Sequence, residues 1–164
     1  MHSNEKLVRN WDKELKLMFK VIAKKKADWK EITDEIDEFQ LKALKMGDNI
    51  ILMINSPDAD QFAPLIMKGS KLIDQNKALT ENMVAFYERL KEHYLISMKM
   101  TDDMNEEMKT FDPANPTELI KRCRVMLNEG KRLMTPIEEE LEDRIDDLLD
   151  ERDALEETLN SMME

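Results

Sequence analysis

A chain of 164 residues with 36 acidic and 25 basic side chains carries a net charge of −11, and holds 41% hydrophobic but only 5% aromatic residues, with 3 glycines. That is one domain's worth of protein, too charged and glycine-poor for a β-sandwich and too regular in its apolar spacing for a disordered tail. Two histidines, His2 and His93, and one cysteine, Cys123, leave little material for metal cages, histidine-based triads or disulfides.

The first segment places Leu7, Val8, Trp11, Leu15, Met18 and Ile22 at spacings of three and four, which predicts a helix over residues 4–26. Its opposite face carries Lys6, Arg9, Lys13, Lys16, Lys20 and Lys24. A second helix follows on Trp29, Ile32, Ile36, Phe39 and Ala43, with Gly47 as its expected C-cap. The run Ile50-Ile51-Leu52-Met53-Ile54 reads as helix resumed after Gly47, because no second strand candidate exists to pair with it. At five residues it is the longest purely apolar run, far short of the ~18–20 residues of a membrane span.

Asn55-Ser56-Pro57-Asp58-Ala59-Asp60 predicts a turn, with Ser56 as N-cap and Pro57 at the first position of the next helix. A long apolar face then runs through Phe62, Leu65, Ile66, Leu72, Ile73, Leu79, Met83, Phe86, Leu90, Tyr94 and Met98, with a bend expected at Gly69-Ser70. A continuous helix over 71–109 alone would make a rod of roughly 58 Å, so an elongated molecule is expected. Met100, Met104, Met108 and Phe111 share one face of its end. In a chain with 14 methionines, an adaptable apolar contact face explains them better than a copper(I) thioether site.

Asn115-Pro116-Thr117-Glu118 and Thr135-Pro136-Ile137-Glu138 each place a capping side chain, a proline at the first helical position and a glutamate three residues after the cap. They predict a short helix 116–129 ending near Gly130 and a final helix 136–162. The expected division is a helical body, 1–111, with a hairpin turning near Pro57, and a C-terminal helix pair, 112–164.

Charge is distributed in blocks: +2 over 1–46, −1 over 47–100, −1 over 101–135 and −11 over 136–164. The last helix also carries heptad character, with Met134, Glu138, Leu141, Ile145, Leu148, Arg152, Leu155, Leu159 and Met162 at a and d. A parallel homodimer through this helix would set Glu151 against Glu156, so antiparallel pairing within its own chain, against the cationic 6–26 face of this or a neighbouring subunit, or against a basic external partner is expected instead.

The predicted fold class is therefore all-α: an elongated antiparallel bundle of long helices ending in an acidic, coiled-coil-like helix. Phosphate-cradling glycine loops, a calcium loop and the Glu-x-x-His element of di-iron bundles are all missing from the sequence. The expectation is a non-enzymatic structural or adaptor protein without cofactor, metal or small-molecule substrate, cytoplasmic in a cell or an infected host cell. It would act by self-association or on a protein partner. Its expected contact surfaces are the seam Leu141, Ile145, Leu148, Arg152, Leu155, Leu159 and Met162 and the methionine face. The cations of 6–24 would meet either phosphate or the acidic helix.

The segment from Leu44 through Asn55-Ser56-Pro57 to Asn76 and Glu92 is similar to the central helical hairpin of small terminase subunits from tailed phages. The resemblance rests on the turn and the apolar spacing and does not extend to the acidic C-terminal helix. It implies two helices joined by a proline-containing turn, assembled into a ring that presents DNA to a packaging motor. A further alternative is an acidic inhibitor that mimics a nucleic-acid backbone and occupies a basic cleft.

Overall fold

The computed structural model describes residues 2–110 and 114–163, with side chains from Glu5 onward. The described residues form three long helices and no strand: α1 His2–Ile54, α2 Ala63–Lys109 and α3 Pro116–Met163, with a 3-10 turn, Ala59–Phe62, leading into α2. Each helix contributes to two compact units. The first unit is Met1–Asp28 with Glu88–Leu141, and the second is Trp29–Tyr87 with Glu142–Glu164. Both thus draw on all three helices, where a 1–111 body and a 112–164 pair were expected.

In both units the buried positions alternate between spacings of three and four. In α2 they run Leu79, Met83 and Phe86 in the second unit and His93, Ser97, Met100 and Met104 in the first. This rhythm keeps one stripe of each helix turned toward its two neighbours. The core of the first unit gathers Trp11, Leu15 and Ile22 of α1, Met100 and Met104 of α2, and Ile120, Cys123, Leu127 and Met134 of α3. The second unit buries Ile36 and Ile50 with Leu79, Phe86, Leu148 and Leu155. Each such side chain contributes about 1.5–3 kcal/mol when fully removed from water. Cys123 is one of these core side chains, and burial pushes its thiol up.

Chain direction follows from cross-helix contacts. In the first unit Arg124 reaches Glu14 at 3.4 Å and Lys25 reaches Glu138 at 3.0 Å, so α1 and α3 run parallel there. Arg122 meets Glu107 at 3.5 Å and His93 meets Glu138, so α2 runs antiparallel to α3. In the second unit Gln40 donates to Thr80 at 2.8 Å and Lys68 donates to the Ser161 carbonyl at 3.3 Å.

Several expected breaks are not breaks. Gly47 lies inside α1, Gly69 inside α2 and Gly130 inside α3, and none has positive φ. Gly69 and Gly130 instead mark close approach of neighbouring helices. A Cβ at Gly69 would stand 2.4 Å from Ile50 Cγ1, and one at Gly130 would stand 2.4 Å from Met100 Sδ. The Thr135-Pro136 start is likewise overturned: both residues sit within α3, and the Thr135 hydroxyl donates to the Lys131 carbonyl at 2.8 Å instead of capping a new helix. Pro136 removes the N–H that would bond the Arg132 carbonyl, but it is on the exposed side where water can serve that oxygen, while Met134 and Ile137 hold the helix to the core. Ser56 does accept the Asp58 N–H at 3.3 Å, yet it stabilises a turn, and the α-helix begins only at Ala63.

The predicted start at Pro116 is where α3 begins, while the expected division between 111 and 112 lies outside the described residues.

Glycine substitution separates the two close approaches. Gly69→Ala meets the β-branched, stiff Ile50 and should destabilise by about 1–3 kcal/mol. Gly130→Ala meets Met100 along Sδ, Cγ and Cβ, but that unbranched side chain can shift and helix propensity returns up to about 1 kcal/mol, so it should cost less than Gly69→Ala. Urea-unfolding midpoints of the two variants check this ordering.

Candidate interaction faces and a buried polar cluster

The α3 seam is closed inside the chain. Met134 and Leu141 are buried in the first unit, and Ile145, Leu148, Leu155, Leu159 and Met162 are buried in the second. The seam expected to receive a partner is thus spent on α3's own bundle, because its spacing matches the stripes of α1 and α2. Its two polar positions are both anchored to α1. Arg152 pairs with Glu35 and lies over the Phe39 ring, 5.7 Å from its centroid, in the second unit. Glu138 pairs with Lys25 in the first.

The methionine face divides. Met100 and Met104 are core residues of the first unit, Met108 is exposed, and Phe111 lies outside the described residues. The apolar reading of α2 also drifts after Leu90: Tyr94 and Met98 are exposed, and the inward positions are His93 and Ser97. A stripe of apolar letters misses a core position occupied by polar ones.

Lys6, Arg9, Lys13, Lys16, Lys20 and Lys24 are all exposed. Lys16 pairs with Asp12 at 2.8 Å and Arg9 Nε donates to the Glu5 carbonyl at 3.5 Å, both along α1 itself. Trp11 is buried with the Arg124 guanidinium 5.6 Å from its ring centroid, so it offers no face for base stacking. The acidic end of α3, from Glu142 on, belongs to the second unit with residues 29–87, whereas these cations belong to the first. The first unit holds 17 cations against 16 acids, and the second 8 cations against 20 acids. The second unit, at −12, therefore accounts for the chain's net negative charge, with the first at +1.

Inside the first unit lies a polar cluster that sequence reading does not find. His93 is wholly buried, its Nε2 is 3.0 Å from Glu138 Oε1, and Lys25 Nζ is 3.0 Å from Glu138 Oε2. Burial pushes the Glu138 carboxyl up, but hydrogen bonds from His93 and Lys25 and the Lys25 charge pull it down by more, leaving it below its ordinary value. An ionised carboxylate only accepts hydrogen bonds, so His93 Nε2 is the donor to Oε1. The sequence signal was a glutamate in an apolar seam and a histidine three residues after Leu90, neither of which names its partner. Beside the cluster, Leu17, Val21, Ile22 and Met134 wall an open groove of about 380 Å³ between α1 and α3, with Lys25 and Glu138 also lining it.

The second unit bears another surface absent from the sequence reading. Leu41, Leu44, Ile51 and Leu52 of α1 are 59%, 58%, 52% and 69% exposed, whereas Ile36, Ala43 and Ile50 of the same helix are buried. At about 100° per residue Leu41 and Leu52 fall nearly opposite the buried three, while Leu44 and Ile51 fall between those two faces. This stretch of α1 is thus apolar on two faces and uses only one of them.

Among the described residues no group of three or more histidine, cysteine or carboxylate side chains is disposed to hold a metal ion, and no helix is long and apolar enough to cross a membrane. No protein-family model matches the chain, and no curated protein or solved structure matches it.

Because Glu138 is held below about 4.5, its contribution to stability is complete above that value and is lost as pH falls through its lower native value. Glu138→Gln should therefore destabilise the chain by about 2 kcal/mol at neutral pH, and the difference from the parent should shrink toward zero as pH falls through that lowered value. Urea titrations from strongly acidic to neutral pH follow the two curves.

Proposed function

We propose that the protein is a non-enzymatic structural or adaptor component of an oligomeric or multi-protein assembly, working by helix-to-helix contact in the cytoplasm. The observation that carries this reading is the second apolar face of α1, where Leu41, Leu44, Ile51 and Leu52 stand exposed on a helix already packed on its other side. Large apolar side chains gathered on one exposed face mark contact surfaces, and a face at helical spacing suits a partner helix. The groove beside Leu17 and Val21 offers a second apolar rim in the first unit. The seam of α3 has no part in this reading, being occupied within the chain.

A nucleic-acid-associated oligomer of the small-terminase kind draws on two observations. The six cations from Lys6 to Lys24 are exposed in a unit that does not include the acidic end of α3, and two helices meet through a connection containing Pro57. The acidic-inhibitor reading draws on the −12 of the second unit. Mass in solution by light scattering, with and without a DNA duplex at low and high salt, separates them. A stable oligomer indifferent to DNA is the expected result. A large ring that binds DNA in a salt-dependent way would favour the terminase-like reading, and a monomer that ignores DNA would favour the inhibitor.

A further inference from the structure

The outward face of α1 in the second unit has the same chemistry read from either end. Leu41, Lys45, Asp48 and Leu52 follow at spacings of four, three and four, which places them within an arc of about 60°. All four are exposed, and neither Lys45 nor Asp48 makes an ion pair or hydrogen bond among the described residues. Leu44 and Ile51 line one flank of this arc. That flank is the side of α1 turned toward α2, where Gln40 bonds Thr80, Tyr87 donates to Asp37 at 3.4 Å and Gly47 faces Ile73. Ile73 and Val84, both exposed, extend the strip onto α2.

The charge around the strip differs from that of the rest of the unit. Residues 40–80 hold five cations and four acids, whereas 142–164 hold two cations and ten acids. Two copies approaching through α3 would meet acid against acid, but two copies approaching through this strip would not.

We propose that the occupant of this face is a second copy of the chain, docked α1 against α1 in antiparallel fashion about a two-fold axis between Met46 and Gly47. In that register Leu41 lies opposite Leu52 of the second copy and Lys45 lies opposite its Asp48, each contact occurring twice by symmetry. The flanks carrying Leu44 and Ile51 come together on the same side of the axis and close over the charged centre. A parallel arrangement would instead set lysine against lysine and aspartate against aspartate, which selects the antiparallel one. The inference rests on the adaptor reading and gives it a partner and a register.

Charge reversal tests it on the full-length chain. Wild type should approach twice the monomer mass in light scattering as concentration rises. Lys45→Asp places acids at both central positions and Asp48→Lys places lysines at both, so each variant alone should weaken dimerisation on the order of tenfold or more, two attractions becoming two repulsions. Both positions are exposed, and unchanged far-ultraviolet circular dichroism verifies the fold. An equimolar mixture of the two variants should recover the dimer, and so should the double variant K45D/D48K. A wild-type oligomer indifferent to both reversals would overturn this pairing while leaving the adaptor reading standing. A wild-type chain that stays monomeric at every concentration would overturn the self-pairing and confine the adaptor reading to contact with a different protein.

Discussion

The structure depends on one constraint: each of three long helices must keep a single stripe facing two neighbours through its contribution to both compact units. Alternating spacings of three and four satisfy it, and the other features are consequences. Where helices approach closely the stripe holds glycine, as at Gly69 under Ile50. Where the stripe holds a polar residue, that residue must be given partners, because an unpaired charge removed from water costs several kcal/mol. His93, Lys25 and Glu138 meet this requirement in the first unit, and Arg152 with Glu35 and Phe39 meets it in the second. Such anchored polar positions reward one alignment of neighbouring helices over a slipped one, which a uniform apolar stripe would tolerate.

The same constraint decides which surfaces are left for function. The leucines of α3 are used up by the fold, so an acidic helix with heptad spacing is no evidence here of an open coiled-coil face. The surplus lies on α1, where two apolar faces occur on one stretch and only one is needed for the core. Charge sorts the surfaces further: a second unit at −12 repels its own kind everywhere except near the balanced stretch 40–80. Apolar excess and local neutrality coincide at Leu41–Leu52, and the proposed self-pairing grows out of that coincidence.

Much of the fold was legible in the sequence because helical periodicity is a local property. The stripe positions Trp11, Ile36, Leu79 and Phe86 were read correctly, as was every apolar position of the α3 seam. The extent of the helices was not, since Gly47, Gly130 and Pro136 carry the usual marks of a helix end and only packing shows that the helix continues past them. The polar cluster was illegible for a related reason: Lys25, His93 and Glu138 come from three helices, and their meeting depends on register between helices, which no single segment encodes. The outward face of α1 was legible in principle. Leu41 and Leu52 fall on a helical wheel opposite Ile36, Ala43 and Ile50, with Leu44 and Ile51 on the flank between, but reading Gly47 as a helix end cut that wheel in two.

The separation of a packing stripe from a working face is tested most directly by replacing Leu41, Leu44, Ile51 and Leu52 together with glutamine, and measuring circular dichroism and solution mass on the same sample. Undiminished helicity with loss of assembly is expected, because all four side chains already stand in water. Loss of helicity would mean that these residues belong to the core, and an assembly that survives the change would mean that the chain's contacts lie elsewhere.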